Sequence, residues 1–304
     1  MLDPSHFLEL KASGNLPSPK GAALKVMELC QRESATLPQI IRVLQTDPAT
    51  VGRILKLANS AAFRRVRPAV SLTTDVLISI GLHTVRQVVL AFSLVTENKT
   101  GKCPGFDYEA FWSRSAATGA ATQLIAAATR LAPPADLFTV GLLSNVGRLA
   151  LAALHSDRYG ALLAQVSEQC SPALTALEKE AFGYTHLDLA VALMSDWGVP
   201  RLYSEAVLFH EAPELADFDE GSRSSRTVQC VQLGARLVGH CLLPQDQRGP
   251  DLASLLLLAR EIGIADADLA RLGNQMLREW RDWSVVLGIA VRDVAPFSTI
   301  DAAA

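Results

Sequence analysis

The strongest constraint on this chain is the helical spacing of its apolar residues, which continues through nearly all of its 304 residues. Apolar positions recur three and four residues apart, and we find no convincing strand pattern of alternating apolar and polar residues. Pro38 and Pro48 suit the first turns of helices, and Gly81 suits a helix end. The pattern predicts an all-α fold in which many short helices pack around a shared core.

Composition and charge exclude several classes of protein. Hydrophobic residues make up 49% and charged residues 19% of the chain, which is typical of a globular protein. The net charge of −3 provides no overall positive field that would draw the chain onto nucleic acid or an anionic membrane. The apolar stretch around Leu252–Ala259, about eight residues long, falls far short of the roughly 20 residues that cross a bilayer. The N-terminus lacks the pattern of a signal peptide. We therefore expect a cytoplasmic protein without a membrane partner.

The five cysteines are odd in number and form no CxxC pair. This distribution argues against a disulfide framework and against a cysteine-based zinc site. Buried free thiols are therefore the simpler interpretation of these cysteines. The sequence also predicts no cofactor.

The stretch Gly141–Leu149 interrupts an apolar helix that we predict over 136–155. It places Ser144 and Asn145 where a buried hydrophobic turn is expected. It has neither the lysine nor the preceding strand of a phosphate-binding loop, and no GxSxG elbow is present, so Ser144 is a poor nucleophile.

Two histidines at predicted helix ends, His186 and His210, could face this stretch. A hydrogen-bonded packing role is the simpler interpretation of a lone histidine at a helix end. The acidic side chains of Glu178, Glu180 and Asp188 are expected on solvated helix faces.

The helices on either side of Gly81, over 74–80 and 83–97, have the arrangement of a helix-turn-helix. The second of these helices soon becomes apolar, which favours burial over contact with DNA bases, so nucleic acid is not an expected partner. Basic residues nearby form a candidate docking surface for proteins. They are Arg53, Lys56, Arg64, Arg65 and Arg67.

Together, several segments resemble in order and spacing the HDOD family, the HD-related output domains that are relatives of HD-type metal phosphohydrolases. The resemblance covers about residues 16–212. The matching segments are Leu16-Pro17-Ser18-Pro19, Asp47-Pro48 with Ile54–Phe63, Ser71–Gly81 with Val85–Leu90, Phe111-Trp112, Gly141–Leu149, Glu178 with Phe182-Gly183 and His186, and Trp197–Pro200 with His210-Glu211.

The resemblance implies a metal site that this chain has largely lost. Neutral serine and asparagine are weak ligands for a transition metal, and an arginine brings positive charge to the place of a dication. Hydrolysis by the family's metal mechanism is therefore not expected, and neither catalytic residues nor a bound metal are predicted. The degenerate metal-site positions are Arg114, Ser144, Asn145, His186 and His210, with Glu211 in place of a second histidine.

The function that the resemblance implies is a non-catalytic, regulatory module of bacterial signal transduction. Its partners would be signalling proteins, often components of cyclic-dinucleotide pathways. One alternative is a residual metal- or nucleotide-binding, phosphohydrolase-like pocket that uses Arg114, His186 and His210. A weaker alternative is DNA binding through the helices around Gly81.

We expect three parts along the chain. Residues 1–15 form an N-terminal extension, 16–212 the HDOD domain and 213–304 a C-terminal helical extension, whose tail from Val291 is expected to be loosely held. Within the domain, 16–98 would form an N-terminal helical lobe and 106–212 a degenerate HD-like lobe, joined by a linker rich in Lys, Gly and Pro.

Overall fold

The computed structural model describes residues 2–30, 35–59, 68–166, 172–290 and 294–298. Helices dominate these ranges, and no β-strand occurs within them. The all-α, HD-like fold class predicted from apolar spacing is therefore confirmed.

The N-terminal helices pack mainly around the sixth helix of the chain. Asp47 and Thr73 cap two of them by accepting hydrogen bonds from backbone N–H groups of the first turn. Gly81, with φ +88°, lies at a bend of 91° between the fifth and sixth helices. These helices are α1 (Pro4–Ala12), α2 (Gly21–Cys30), α3 (Leu37–Leu44), α4 (Pro48–Ala58), α5 (Thr74–Ile80) and α6 (Leu82–Glu97).

The first of these helices was not predicted. Asp3 caps α1, and Phe7 buries its ring beside the twelfth helix (His186–Asp196). Within the predicted N-terminal extension, Pro4–Ala12 is therefore a packed helix.

The central helices surround α7, the helix Tyr108–Thr129. Its alanines and Gly119 permit close approach of its neighbours, because a Cβ at Gly119 would lie 2.8 Å from the carbonyl oxygen of Phe138. The central elements are α7 (Tyr108–Thr129), α8 (Pro134–Leu143), α9 (Val146–Leu154), α10 (Ser156–Leu163), α11 (Pro172–Phe182), α12 (His186–Asp196) and α13 (Arg201–Phe209).

The single helix predicted over 136–155 was wrong. The segment is two helices, α8 and α9, separated by a turn at Ser144 and Asn145. The Ser144 hydroxyl donates to the carbonyl oxygen of Gly141 at 2.9 Å, and Asn145 has φ −105° and ψ 13°, outside the helical well. The apolar period continues across this turn, which explains why the period alone did not show it.

The C-terminal helices share the hydrophobic core of the central ones. α14 (Arg223–Leu242) and α16 (Asp266–Leu287) both pack along α7, and α15 (Gln245–Glu261) lies between them in sequence. The tail is more firmly held than expected at Phe297, whose ring is buried and whose backbone exchanges hydrogen bonds with the Asn274 amide.

The segment Pro134–Leu154 is long and apolar enough to cross a bilayer by composition. However, 83% of its most apolar window is buried inside the protein, as expected of core helices. The bent pair α5 and α6 passes the same test only if the two helices are joined across their 91° bend.

Four of the five cysteines lie in the described part of the chain, and all four are free thiols. Burial raises the pKa of the Cys230 thiol to about 11 and that of Cys241 to about 12, so both stay protonated at neutral pH. Cys170 lies outside the described residues.

Candidate functional site

The predicted metal-site positions come together around the turn between α8 and α9. Arg114 lies on α7, and His210 directly follows α13. Arg114, Asn145 and His210 line one open groove, which also includes Glu211. Ser144 and His186 lie behind it and are completely buried. The structure thus groups the five positions, but only three of them face the groove.

Two glycines hold the turn against its neighbours. A Cβ at Gly141 would lie 2.7 Å from the carbonyl oxygen of Thr118 on α7, and a Cβ at Gly147 would overlap the carbonyl oxygen of His186 on α12. Ser144 accepts a hydrogen bond from the Asn145 amide at 3.2 Å. The glycine frame of this stretch therefore serves close backbone packing.

His186 lies at the start of α12 because a capping box fixes where that helix begins. The Thr185 hydroxyl accepts from the Asp188 N–H at 3.1 Å, and the Asp188 carboxylate accepts from the Thr185 N–H at 3.0 Å. His186 follows as the first helical residue, with its ring directed into the interior.

A buried carboxylate holds His186 from one side. Glu178, completely buried on α11, accepts from the His186 backbone N–H at 2.8 Å and from its ring Nδ1 at 2.6 Å. Its other oxygen accepts from the Tyr159 hydroxyl at 3.0 Å. Burial raises the pKa of Tyr159, so the phenol stays protonated and can donate. Glu178 therefore anchors both neighbouring groups.

A second carboxylate holds the opposite side of the same ring. His186 Nε2 lies 3.3 Å from Glu211 Oε1. Burial and the nearby charge of Arg148 lower the pKa of His186, but the hydrogen bonds to Glu178 and Glu211 outweigh them, and the pKa is raised above 6.5. Burial alone would raise the pKa of Glu211, yet its contact with His186 lowers it to about 2. The ring therefore lies between two carboxylates, an arrangement that favours its protonated form.

His210 is buried in the opposite protonation state. Its Nδ1 lies 2.7 Å from the carbonyl oxygen of Val207, so this nitrogen carries the proton and donates. Burial lowers its pKa, and the ring is neutral. The expectation of hydrogen-bonded packing histidines is met at His186 and His210 alike.

The expectation that Glu178 and Asp188 lie on solvated faces was wrong. Glu178 is completely buried, and Asp188 is 9% exposed because it caps α12; only Glu180 is exposed. Helical spacing contained a signal for Glu178, because it lies four residues after the buried Leu174 on the same face of α11. Arg148 and Tyr159 were not singled out as site residues either.

The residues of this site do not fit a transition metal. A histidine ligand must offer a nitrogen lone pair, and both ring nitrogens of His186 face carboxylates. The Ser144 hydroxyl donates its hydrogen bond to the carbonyl oxygen of Gly141. Arg114 adds a positive charge that would repel a metal cation at this site. Within the described ranges, no three His, Cys, Asp or Glu side chains are placed to hold a metal ion together.

The prediction that Arg53 belongs to a basic docking surface was wrong, because this side chain is buried. Its side chain is 8% exposed and donates to the Phe92 carbonyl at 3.4 Å and to Thr96 Oγ1 at 2.8 Å. Lys56 lies over the ring of Trp283 on α16, with Nζ 5.2 Å from the ring centroid. These two cations hold helices together. Arg64, Arg65 and Arg67 lie outside the described residues.

Three side chains at the start of α6 that could contact DNA bases are hydrogen-bonded or buried inside the protein. The Thr84 hydroxyl donates to Asp136 at 2.7 Å, and Arg86 donates to the Trp197 carbonyl at 2.5 Å. Gln87 is 2% exposed. The bend at Gly81 therefore joins two core helices, with these side chains turned toward the central helices.

Known structures share this architecture. MmoQ, a response regulator from Methylococcus capsulatus, is 36% identical to the chain, covers 84% of it and 96% of its own length, and has a TM-score of 0.51. An HDOD domain protein of unknown function from Geobacter sulfurreducens is 20% identical over 89% of this chain and 93% of its own, with a TM-score of 0.64. A candidate phosphohydrolase from Shewanella amazonensis is 21% identical over 97% of both chains, with a TM-score of 0.63.

The last two similarities concern the fold alone. No curated protein sequence matches the chain. Residues 16–213, however, match the HDOD domain, in agreement with the motifs that suggested it. The chain belongs to the HDOD family.

Proposed function

We propose that this protein is a non-catalytic regulatory module of signal transduction that works by binding other proteins. The observation that carries the proposal is the double engagement of His186 by Glu178 and Glu211. Because each ring nitrogen of His186 faces a carboxylate, the ring offers no free lone pair to a metal, which supports a site without the metal-bound hydroxide of HD-type hydrolysis. The same contacts join α11, α12 and the segment after α13, and so serve the fold.

Family membership supports a regulatory role. MmoQ, which shares 36% of its residues with this chain, is described as a response regulator. By that likeness, the partners of this protein are signalling proteins, and components of cyclic-dinucleotide pathways are the ones that the family resemblance favours. The hydrolytic alternative receives no support from the donor set at the degenerate site.

Metal loading tests the non-catalytic half of the proposal. Purified protein is incubated in turn with Mn²⁺, Fe²⁺ and Zn²⁺, desalted, and assayed for metal and for hydrolysis of a phosphodiester such as bis(p-nitrophenyl) phosphate. We expect no stoichiometric metal and no hydrolysis above the protein-free rate. About one ion or more retained per chain, together with turnover, would overturn this half.

Capture of partners tests the other half. Immobilised protein is exposed to extract of its own cells, and retained proteins are identified by mass spectrometry and then tested as purified pairs. We expect at least one signalling protein to bind as a purified pair in the absence of metal. Failure of every captured candidate to bind in purified form would contradict the proposal.

A further inference from the structure

An open groove of about 980 Å³ lies beside the turn at Ser144 and Asn145. One wall is α7, with Arg114 and Thr118, and the opposite wall comes from α14 and α15. A smaller cavity of about 100 Å³ adjoins it and shares Arg114 and Asn145. The groove is at the upper end of the range of roughly 300–1,000 Å³ that small-molecule sites occupy.

The acidic side chains of this groove are already paired. Glu211 contacts His186, and Asp251 contacts His240 at 2.8 Å and Arg236 at 2.9 Å. Asp107 accepts from a backbone N–H of the first turn of α7. These contacts leave little negative charge free in the groove to repel an anion.

Arg114 is the uncommitted cation of the groove. Its guanidinium makes no hydrogen bond or ion pair with any residue in the described ranges, and its side chain is half-buried. Arg148, 5% exposed, brings a second guanidinium to the smaller cavity. A planar guanidinium matches phosphate oxygens through two parallel N–H donors. The groove therefore suits a phosphate group at Arg114.

Gly239 of α14 brings the C-terminal helices close to this cation. A Cβ at Gly239 would lie 3.3 Å from Arg114 Nη2. The guanidinium thus spans the groove from α7 to α14, so that a ligand bound there would contact both the HDOD domain and the C-terminal helices.

Asn145 supplies the second independent observation. It is 9% exposed and lines both cavities, and its amide Nδ2 donates to Ser144. Its Oδ1 is buried and has no hydrogen-bond partner among the described residues. A buried acceptor without a donor is destabilising, and rotation of the Asn145 amide toward the groove would let a ligand hydroxyl or N–H satisfy it.

We propose that this groove binds a small phosphate monoester that also carries hydroxyl or N–H groups, without a metal ion. Its phosphate pairs with Arg114, and its hydroxyl or N–H groups reach Asn145. Nucleoside monophosphates and sugar phosphates share this chemistry. The residues after 213 then have a role as the far wall of a ligand site. The proposal of this ligand site does not depend on which protein the module binds.

Isothermal titration calorimetry with the full chain tests the site. The probes are GMP, glucose 6-phosphate and the phosphate-free nucleoside guanosine, all in metal-free buffer. We expect at least one of the two esters to bind and guanosine not to bind. Binding of GMP alone would assign the site to nucleotides, and binding of glucose 6-phosphate alone to sugar phosphates. Absence of binding by both esters at millimolar concentration would overturn the proposal.

Two variants place the ligand at Arg114. Arg114→Gln should weaken binding at least about tenfold, because a charge-assisted bidentate contact is lost. Arg201→Gln is the matched control, since Arg201 is exposed, lies outside the groove and pairs with Glu205. Gly239→Leu should also weaken binding by crowding the guanidinium, which keeps the test decisive if Arg114→Gln fails to fold. Undiminished affinity in a folded Arg114→Gln protein would overturn the proposal.

Discussion

Nε2 of the His186 ring lies 3.3 Å from Oε1 of Glu211, at the place where a family resemblance puts a second histidine. Where the resemblance implies two imidazoles as metal ligands, this chain has an imidazole in contact with a carboxylate. The consequence is electrostatic, because the carboxylate favours the protonated ring whereas a metal requires the neutral one.

The stability of the fold should depend on pH through this pair. The Glu211 carboxylate has a pKa of about 2 in the folded protein and an ordinary value of 4.5, so its stabilisation is present above 4.5 and is lost as pH falls toward 2. The pKa of His186 is raised above 6.5, so its stabilisation is present below 6.5 and is lost as pH rises through the raised value. The pair therefore contributes most between these limits.

Urea unfolding of wild-type protein and of Glu211→Gln across this range measures the effect. The difference in free energy of unfolding should be largest between about pH 4.5 and 6.5 and should shrink on both sides. Glu214→Gln is an exposed control. A difference that stays constant with pH would contradict the ion-pair assignment.

Glu178→Gln should lower the free energy of unfolding by about 3 kcal/mol, since it removes the charge that a buried imidazolium requires. Glu180→Gln, two residues away and exposed, should change it by less than about 0.5 kcal/mol. Chemical denaturation at neutral pH compares the two variants. Equal effects would mean that the Glu178 carboxylate is not buried with His186.

Gly147→Ala should destabilise the protein by about 2–3 kcal/mol, because a Cβ there would overlap the His186 carbonyl and force α9 away from α12. The same change at Gly52, in α4, meets nothing within 4 Å and should stabilise by about 0.5–1 kcal/mol through helix propensity. Thermal unfolding should shift in opposite directions for the two variants. A shift in the same direction would refute the close approach.

Arg53→Ala should lower the free energy of unfolding by about 2–3 kcal/mol, because it removes charged hydrogen bonds to Phe92 and Thr96. Arg42→Ala, on an exposed position of α3, is the control and should have little effect. Differential scanning calorimetry measures both. If Arg53→Ala kept wild-type stability and instead weakened binding to a partner, Arg53 would belong to a docking surface after all.

Much of the fold could be predicted from local signals. The bounds of α5 agree with the predicted range 74–80, and Gly81 ends this helix as expected, because caps and glycines act over a few residues. The missed helix α1 starts at Asp3-Pro4, the same dipeptide that begins α4, so its signal was present.

The candidate site could be predicted only in part. Arg114 and Asn145 line one groove, and the family motifs had suggested both positions. The hydrogen-bond partners of His186 could not be predicted from the sequence. Burial of Glu178 becomes favourable only once α11 and α12 pack together, and the break between α8 and α9 depends on contacts with α7 and α12. Such tertiary contacts override local propensity.

The packing of α16 along α7 has a consequence for how this protein folds during synthesis. From Thr129 at the end of α7 to Asp266 at the start of α16, the ribosome must add more than a hundred residues, which takes roughly 7–30 s at ordinary elongation rates. Until then the α16-facing side of α7 has no native cover. The nascent HDOD segment therefore leaves this apolar face of α7 uncovered until α16 has been synthesised.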